Sequence, residues 1–224
     1  MWFEGLGAWL ALGLGLIGVL TLRAEYRGKR QRAAARAGIF AHCQRLLETP
    51  QLTCVRDAYP VLEGTVASQR VRVDVVLDSL ALRKLPVLWL RITVLAPLPI
   101  EMVLDYLRRP LNIEFWSPGT DLSFTLPVPA GWPQHASLRA SSPEAAALVS
   151  ALDPFREAFG ADDLKEVLVS PRGLRVVTMA AQGSRLYYGV FRRAAFDEAP
   201  LPAERLQGAL QLAQRLHSAV AAGT

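Results

Sequence analysis

The sequence predicts an α+β protein in which one N-terminal transmembrane helix is followed by a cytoplasmic domain of antiparallel sheet and helices. Three observations support this prediction. An uncharged apolar run precedes a cluster of basic residues, several later segments alternate with a period of two, and amphipathic segments of helical period lie between and after them. The expected organisation is an anchor over residues 1–22, a basic juxtamembrane helix over 23–48 and an α+β domain over 49–224.

The anchor is predicted from residues 2–22, which are apolar apart from Glu4 and Thr21. As a helix this segment would rise about 31 Å, which matches the hydrocarbon core of a bilayer. The competing interpretation is a cleaved signal peptide, which requires a basic n-region, a shorter apolar stretch and a small-residue cleavage site. The first residues carry Glu4 and no basic residue, and Arg-Ala-Glu-Tyr-Arg follows the run. We therefore expect the anchor to be retained.

A basic stripe directly after the apolar run predicts its orientation. The stripe consists of Arg23, Arg27, Lys29, Arg30, Arg32 and Arg36, against Glu25 alone. The positive-inside rule places this side in the cytoplasm, so we expect a single-pass inner-membrane protein with its N-terminus outside. The stripe also suits anionic lipid headgroups.

The charge of the remaining chain argues against nucleic acid as a partner. The chain has 25 basic and 20 acidic residues. Without the stripe, Glu4 and Glu25, residues 37–224 keep 19 basic and 18 acidic residues, which is close to neutral. A nucleic-acid-binding domain would carry a basic surface of its own.

One face of the predicted anchor carries small residues at helical spacing, namely Gly7, Ala11, Gly15 and Gly18. Such residues let the backbone of a second helix approach closely. This face is therefore a candidate contact with integral membrane protein subunits. The alternative is that glycine and alanine are simply frequent in membrane helices.

The domain is predicted to contain both strands and helices. Strands are expected over Arg70–Leu77, Val87–Val94, residues 122–128, Glu166–Ser170, Leu174–Met179 and Arg185–Arg193. Helices are expected to begin near Pro99, at a capping box formed by Ser141 and Glu144, and at Pro202. The last helix should bury Leu206, Leu210, Ala213, Leu216 and Val220.

An internal echo suggests two related halves, over residues 38–110 and 141–224. Ala96–Glu101 (APLPIE) recurs 103 residues later as Ala199–Glu204 (APLPAE), and residues 71–73 (VRV) match residues 174–176 (LRV) at the same offset. The alternative is that short matches arise by chance in a biased composition.

No spacing typical of a catalytic or metal site occurs in the sequence. The three histidines, His42, His135 and His217, fit structural roles, and Cys43 and Cys54 are expected to be free thiols in a reducing cytoplasm. We therefore expect a protein that is not an enzyme and that has no catalytic residue, metal or cofactor.

Three aromatic residues, Phe115, Trp116 and Trp132, lie beside Pro/Gly turns. Exposed aromatic side chains at turns are typical partner anchors. The alternative is that they cap the core beneath the loop, as expected for tryptophan, which is largely buried on average.

The segments Phe124–Leu126, Pro143–Leu148 and Leu174–Val176 lie in a layout that resembles uncharacterised bacterial membrane-anchored proteins, over about Tyr59 to Val220. The resemblance implies an anchor, a strand-rich middle, a helix, a hairpin and a C-terminal helix. It brings no activity, ligand or catalytic residue.

The expected function is that of a membrane-anchored accessory or scaffold subunit of a larger inner-membrane complex, for which a respiratory or photosynthetic complex is a natural host. The alternative is a membrane-tethered module that binds a small ligand or a lipid in a cleft between the two halves.

Overall fold

The structure, a computed structural model, describes residues 2–54, 58–79, 85–111, 114–185, 188, 196 and 200–223, with side chains from residue 15 onward. These residues form an α+β protein with one large antiparallel sheet. The helices are α1 (Trp2–Ala37), α2 (Ala146–Leu152), α3 (Arg156–Gly160) and α4 (Ala203–Gly223). The strands are β1 (Glu48–Thr53), β2 (Val61–Val66), β3 (Gln69–Asp78), β4 (Val87–Val94), β5 (Leu104–Arg108), β6 (Phe124–Leu126), β7 (Ala136–Ala140), β8 (Leu164–Ser170) and β9 (Gly173–Gln182).

The sheet has the strand order β1-β2-β3-β4-β9-β8-β5-β7-β6, and each neighbouring pair is antiparallel. The predicted strands over Arg70–Leu77, Val87–Val94, Glu166–Ser170 and Leu174–Met179 are confirmed as β3, β4, β8 and β9. Strand β4 lies between β3 and β9, and its Leu90, Ile92 and Val94 are fully buried. Its nearly continuous apolar character follows from this central position.

Helix α4 covers one face of the sheet, packing against β4 and β9. The stripe predicted for it is buried as expected: Leu206, Leu210, Ala213, Leu216 and Val220. We call the face of the sheet that α4 covers the helix face, and the opposite face of the sheet the outer face.

Helices α2 and α3 also belong to the helix face. The side chains of Leu148, Leu152 and Phe159 are buried there, but a 3-10 turn at Asp153–Phe155 separates two short helices where one was predicted. The predicted capping box is wrong, because the Ser141 hydroxyl accepts a hydrogen bond from the Val103 amide at 2.8 Å. That bond ties the residue after β7 to the residue before β5.

The helix predicted after Pro99 is wrong, since Leu104–Arg108 forms strand β5 between β7 and β8. The apolar residues of this segment fit both periods. Leu104 and Tyr106 face the core with a period of two, whereas Ile100, Val103, Leu104 and Leu107 have helical spacing. Pairing with strands on both sides decides in favour of the strand. Strand β7 was not predicted.

The juxtamembrane helix predicted over residues 23–48 ends earlier, because α1 stops at Ala37. The chain then turns under the core, where Phe40 and Cys43 are fully buried, and the Leu201 amide donates to the Ile39 carbonyl at 2.8 Å. Burial of this segment competes successfully with continuation of the helix.

The strand predicted over Arg185–Arg193 falls mostly outside the described residues. Arg185 and Tyr188 are helical, and the Tyr188 amide donates to the Ser184 carbonyl at 3.0 Å, which is a helical hydrogen bond.

Helix α1 runs without interruption from the predicted anchor into the basic stripe. Within the part of the chain that the structure describes, no helix has both the length and the apolar character needed to cross a membrane. In the predicted small-residue face, Gly7 and Ala11 lie outside the described side chains. A Cβ added at Gly15 or Gly18 would meet nothing within 4 Å.

The two segments of the internal echo contribute to one sheet, since β4 pairs with β9. Their matched Pro-containing sequences lead into different elements: residues after Glu101 form β5, whereas Glu204 lies in the first turn of α4.

Candidate functional site on the outer face

The outer face carries charged side chains from adjacent strands. Asp74 of β3 stands opposite Arg91 of β4, and Asp105 of β5 stands opposite Arg139 of β7. Opposite charges in such cross-strand pairs stabilise the register of a sheet. The predicted alternation of β3 therefore places charge on one side and valine on the other.

The Asp74–Arg91 pair is bidentate, with both N–O distances at 2.7 Å. Its hydrogen bonds raise the pKa of Arg91 above its ordinary value, despite the opposing effect of burial. A second pair joins Arg72 to Glu63 of β2 at 3.1 Å. These contacts hold β2, β3 and β4 together.

A buried ion pair, Lys165–Glu114, lies further along the outer face. The Lys165 ammonium is 2.7 Å from a Glu114 carboxylate oxygen, and both side chains are almost fully buried. The ammonium also donates to the Arg108 and Arg109 carbonyls at 3.0 and 2.9 Å, so its three N–H groups have acceptors. Burial opposes ionisation of Glu114, but the contacts with Lys165 lower its pKa below the ordinary value.

Two further carboxylates, Asp105 and Glu166, are 1% and 0% exposed. The Ser117 hydroxyl donates to Asp105 Oδ2 at 3.0 Å, and Arg175 Nε donates to Glu166 Oε2 at 3.1 Å. Among the described residues, Asp105 Oδ1 and Glu166 Oε1 have no hydrogen-bond partner. Buried acceptors are usually satisfied, so such atoms mark a place where a proton, a water or a ligand is held.

Burial raises the pKa of Asp105 to about 7, and the negative charge of Glu166 adds to this effect. Burial likewise raises the pKa of Glu166, although Arg175 opposes the shift. Two carboxylates that interact in this way titrate as a pair. The pair therefore retains a proton to a higher pH than two exposed carboxylates would.

A cavity of about 100 Å³ adjoins Asp105. It is lined by Asp105, Leu107, Pro110, Glu114, Ser117, Gly119, Thr120, Ser137 and Arg139. One wall is the 3-10 turn Pro118–Asp121, whose N-cap Ser117 accepts a hydrogen bond from the Gly119 amide at 3.2 Å. A Cβ at Gly119 would collide with the Asp105 carboxylate, so glycine is required for this close approach.

The cavity offers carboxylate and hydroxyl oxygens beside a group that titrates near neutral pH, which suits binding of a polar ligand or transfer of a proton. Among the residues that the structure describes, no group of three or more His, Cys, Asp or Glu side chains could hold a metal ion. No sequence motif marks this cluster, because its members are far apart in the chain. The available signal was charge inside apolar strand segments, at Asp105 and at Lys165-Glu166.

The three aromatic residues predicted as partner anchors differ in exposure. Phe115 is 63% exposed, whereas Trp116 and Trp132 are 7% and 2% exposed. Trp116 packs on Trp89 with a ring distance of 6.3 Å. The prediction of an exposed anchor is therefore wrong for both tryptophans, which cap the core as in the alternative interpretation, while Phe115 keeps the required exposure.

Trp132 is held in the core by its neighbours on the helix face. Its Nε1 donates to Asp153 Oδ1 at 2.8 Å, and its ring lies 4.5 Å from that of Phe159. The indole therefore closes the core and satisfies its own donor.

The histidines and cysteines occupy separate places. His217 is buried, with its ring nitrogens 3.2 Å from Gln69 Nε2 and 2.9 Å from the Ala96 carbonyl, so it links α4 to the sheet. Both cysteines are free thiols, with Cys43 buried and Cys54 exposed. Burial raises the pKa of Cys43 to about 11, which keeps this thiol protonated.

A second cavity, which we call the cleft, has a volume of about 470 Å³ on the helix side of the molecule. It is lined by Ala67, Gln69, Phe155, Gln214, Arg215 and Ser218. Ala67 and Gln69 lie in the first predicted half, residues 38–110, and the other four lie in the second, residues 141–224. The Arg215 guanidinium lies 5.3 Å from the centre of the Phe155 ring.

Comparison of the chain with models of protein families, with curated proteins and with solved structures gives no match.

Proposed function

We propose that this chain is a non-enzymatic accessory or scaffold subunit, anchored in the inner membrane by residues 1–22 and with its α+β domain in the cytoplasm. The observation that carries the proposal is the exposed apolar surface of α1. Leu16, Ile17, Val19, Leu20 and Leu22 are 46–69% exposed. Contiguous exposed apolar surface of this kind is typical of a membrane or protein contact.

The sequence of α1 supports a bilayer as the surrounding of this surface. The apolar run of residues 2–22 would rise about 31 Å as a helix, and the exposed basic stripe begins at the next residue. A basic stripe at that position gains energy from the anionic leaflet, at about 1 kcal/mol per residue near the surface. The α+β domain then lies on the side of the stripe.

The small-residue face of α1 supports partner subunits within the membrane. The open space beside Gly15 and Gly18 would let a second helix approach closely. We propose that this helix belongs to an integral membrane subunit of a larger complex, with a respiratory or photosynthetic complex as a natural host. Phe115 is an additional candidate contact on the domain.

Affinity purification of the natively expressed chain in mild detergent, followed by mass spectrometry, tests the proposal. We expect specific membrane subunits to co-purify and Ala11→Leu/Gly15→Leu to lose them. Gly13→Leu is the matched control, because residue 13 lies about 200° around the helix from residue 11. An isolated monomer, or equal recovery of partners with the face variant, would contradict the proposal.

The orientation has a separate test that uses a natural reporter. Cys54 is exposed on the domain. A membrane-impermeant maleimide should leave Cys54 unlabelled in spheroplasts and label it after lysis. Labelling in intact spheroplasts would place the domain outside and contradict the orientation.

The second candidate function is a membrane-tethered module that binds a small ligand or lipid, and the cleft favours it. A volume of about 470 Å³ lies in the range of ligand pockets. Phe155 provides an apolar wall, while Gln69 and Arg215 provide polar groups. Native mass spectrometry should then detect a bound molecule that Ser218→Trp expels. Gln207→Trp, on the same helix about 16 Å away, should retain it; a ligand-free wild-type chain would contradict this function.

A further inference from the structure

The cavity beside Asp105 has features of a binding site that the proposed function does not use. Asp105 Oδ1 is a carboxylate oxygen of a side chain that is 1% exposed, and it has no hydrogen-bond partner among the described residues. Asp105 also lines the cavity. Buried acceptors are usually satisfied, and a donor held in the adjoining cavity is one way to satisfy this oxygen.

Asp105 forms no direct ion pair among the described residues, and the favourable effect of Arg175 on its pKa is smaller than the opposing effects of burial and of Glu166. Glu114 forms its ion pair with Lys165, and Glu166 forms its ion pair with Arg175. The side chain of Asp105 accepts a hydrogen bond from the neutral Ser117 hydroxyl. An uncompensated buried carboxylate is costly, so it takes up either a proton or a cation.

The cationic side chain at the wall is directed to another partner. Arg139 Nε donates to the Leu122 carbonyl at 3.1 Å, and its Nη2 donates to the same oxygen. This arrangement holds the guanidinium against the residue that follows the Pro118–Asp121 turn. It accounts for the absence of an Asp105–Arg139 ion pair among the described contacts, although the two residues are cross-strand partners.

We propose that this cavity binds a small primary ammonium ion, with the carboxylate of Asp105 as its counter-ion. An ammonium group has three donors, and the lining offers hydroxyl oxygens of Ser117, Thr120 and Ser137 besides the carboxylate. Leu107 and Pro110 supply an apolar wall for a short alkyl group.

The size of the cavity limits the ligand. A volume of about 100 Å³ corresponds to roughly three water molecules, which leaves room for an amine of one or two carbons. A quaternary ammonium such as choline is too large. A divalent metal is disfavoured, because the described residues offer no group of three or more His, Cys, Asp or Glu ligands.

Because the ammonium ion and a proton compete for the same carboxylate, binding must depend on pH. Burial and Glu166 raise the pKa of Asp105 to about 7. Affinity should therefore be constant above that pH and fall about tenfold per pH unit below it. Five groups face Asp105 and set this dependence: Glu166 of β8, Arg175 of β9, Arg139 of β7, and Glu114 and Ser117 from the segment between β5 and the 3-10 turn.

The test is chemical unfolding of the full chain in mild detergent at pH 8, with methylammonium chloride, potassium chloride, choline chloride or sodium acetate at equal ionic strength. We expect methylammonium alone to raise the unfolding midpoint, with a shift that grows with the logarithm of its concentration. Equal shifts with potassium or choline would overturn the proposal. A larger shift with acetate would show an anion site and would also overturn it.

Two variants locate the effect. Asp105→Asn keeps the shape of the side chain, removes its charge and should abolish the methylammonium shift. The control is Asp121→Asn, which changes an exposed carboxylate on the 3-10 turn beside the cavity and should retain the shift. Ser137→Ala removes one hydroxyl oxygen without filling the cavity and should weaken binding several-fold; it serves as the test if Asp105→Asn fails to fold. A methylammonium shift that survives both cavity variants, or that is unchanged between pH 8 and pH 5.5 in the wild-type chain, refutes the assignment.

Discussion

Replacing Lys165 with methionine removes the cation of the buried Lys165–Glu114 pair and keeps an unbranched side chain. The ammonium is 2.7 Å from Glu114, and the two side chains are 5% and 4% exposed. The change leaves a buried carboxylate uncompensated and removes the donor to the Arg108 and Arg109 carbonyls. Loss of one partner of a buried pair costs about 3–5 kcal/mol in the free energy of unfolding.

Urea unfolding of the full chain, followed by tryptophan fluorescence, measures this loss. The double variant Lys165→Met/Glu114→Gln provides the control, because it removes the orphaned charge. We expect it to be more stable than Lys165→Met alone, with a coupling energy of about 1–3 kcal/mol. Additive effects of the two substitutions would refute the reasoning, since they would mean that the two charges do not interact.

The pH dependence of the same variants gives a second check. In the wild-type chain the pKa of Glu114 is lowered, so its contribution to stability is present above the unfolded-state pKa and is lost as the pH falls through the folded-state value. Without Lys165, burial raises the pKa of Glu114 and is opposed mainly by the hydrogen bonds from the Leu111 amide. The deficit of Lys165→Met should therefore shrink as the pH falls from 7 to 4.

Three further perturbations have defined outcomes. Gly119→Ala places a Cβ against the Asp105 carboxylate and should lower the free energy of unfolding by about 1–3 kcal/mol. Gly208→Ala, at an exposed position within α4 where a Cβ meets nothing within 4 Å, should raise it by about 0.5–1 kcal/mol. Urea midpoints measure both changes. The pKa of Asp105 is raised to about 7, so its contribution to stability is fully present below the unfolded-state pKa and is lost as the pH rises through 7. Asp105→Asn should therefore flatten the plot of unfolding free energy against pH between pH 4 and 8. An unchanged slope would count against the raised pKa. Maleimide should label the exposed Cys54 within minutes and the buried Cys43 only on unfolding, as followed by mass spectrometry; equal rates in the folded chain would disagree with the burial of Phe40 and its neighbours around Cys43.

Sequence patterns predicted the elements in which one period is unambiguous. Helix α4 places apolar residues at helical spacing over about four turns, and β3 alternates valine with charge, so each pattern fits a single type of structure. Strand β4 was predicted from its β-branched, apolar run, which is typical of a central strand. In these segments the local preference and the tertiary environment agree.

Elsewhere the tertiary environment decided between local alternatives. The segment Leu104–Leu107 fits both a helical and a strand period, and hydrogen bonding to β7 and β8 made it a strand. Residues 38–47 could have extended α1, but burial of Phe40 and Cys43 turned the chain under the sheet. Trp132 lies beside a Pro/Gly turn, where its side chain could be exposed, but its ring packs against Tyr106 and Phe159 in the core.

The candidate site depended entirely on the tertiary structure. Asp105 and Glu166 are 61 residues apart in the chain, and they lie side by side only because β5 pairs with β8. Strands β6 and β7 separate these two strands in the sequence. The sequence by itself determined the α+β class, the apolar run followed by a basic stripe, and the near-neutral charge of residues 37–224. Only the tertiary structure decided which polar side chains are buried together, because strand order and register depend on packing of the whole sheet, and no local period encodes them.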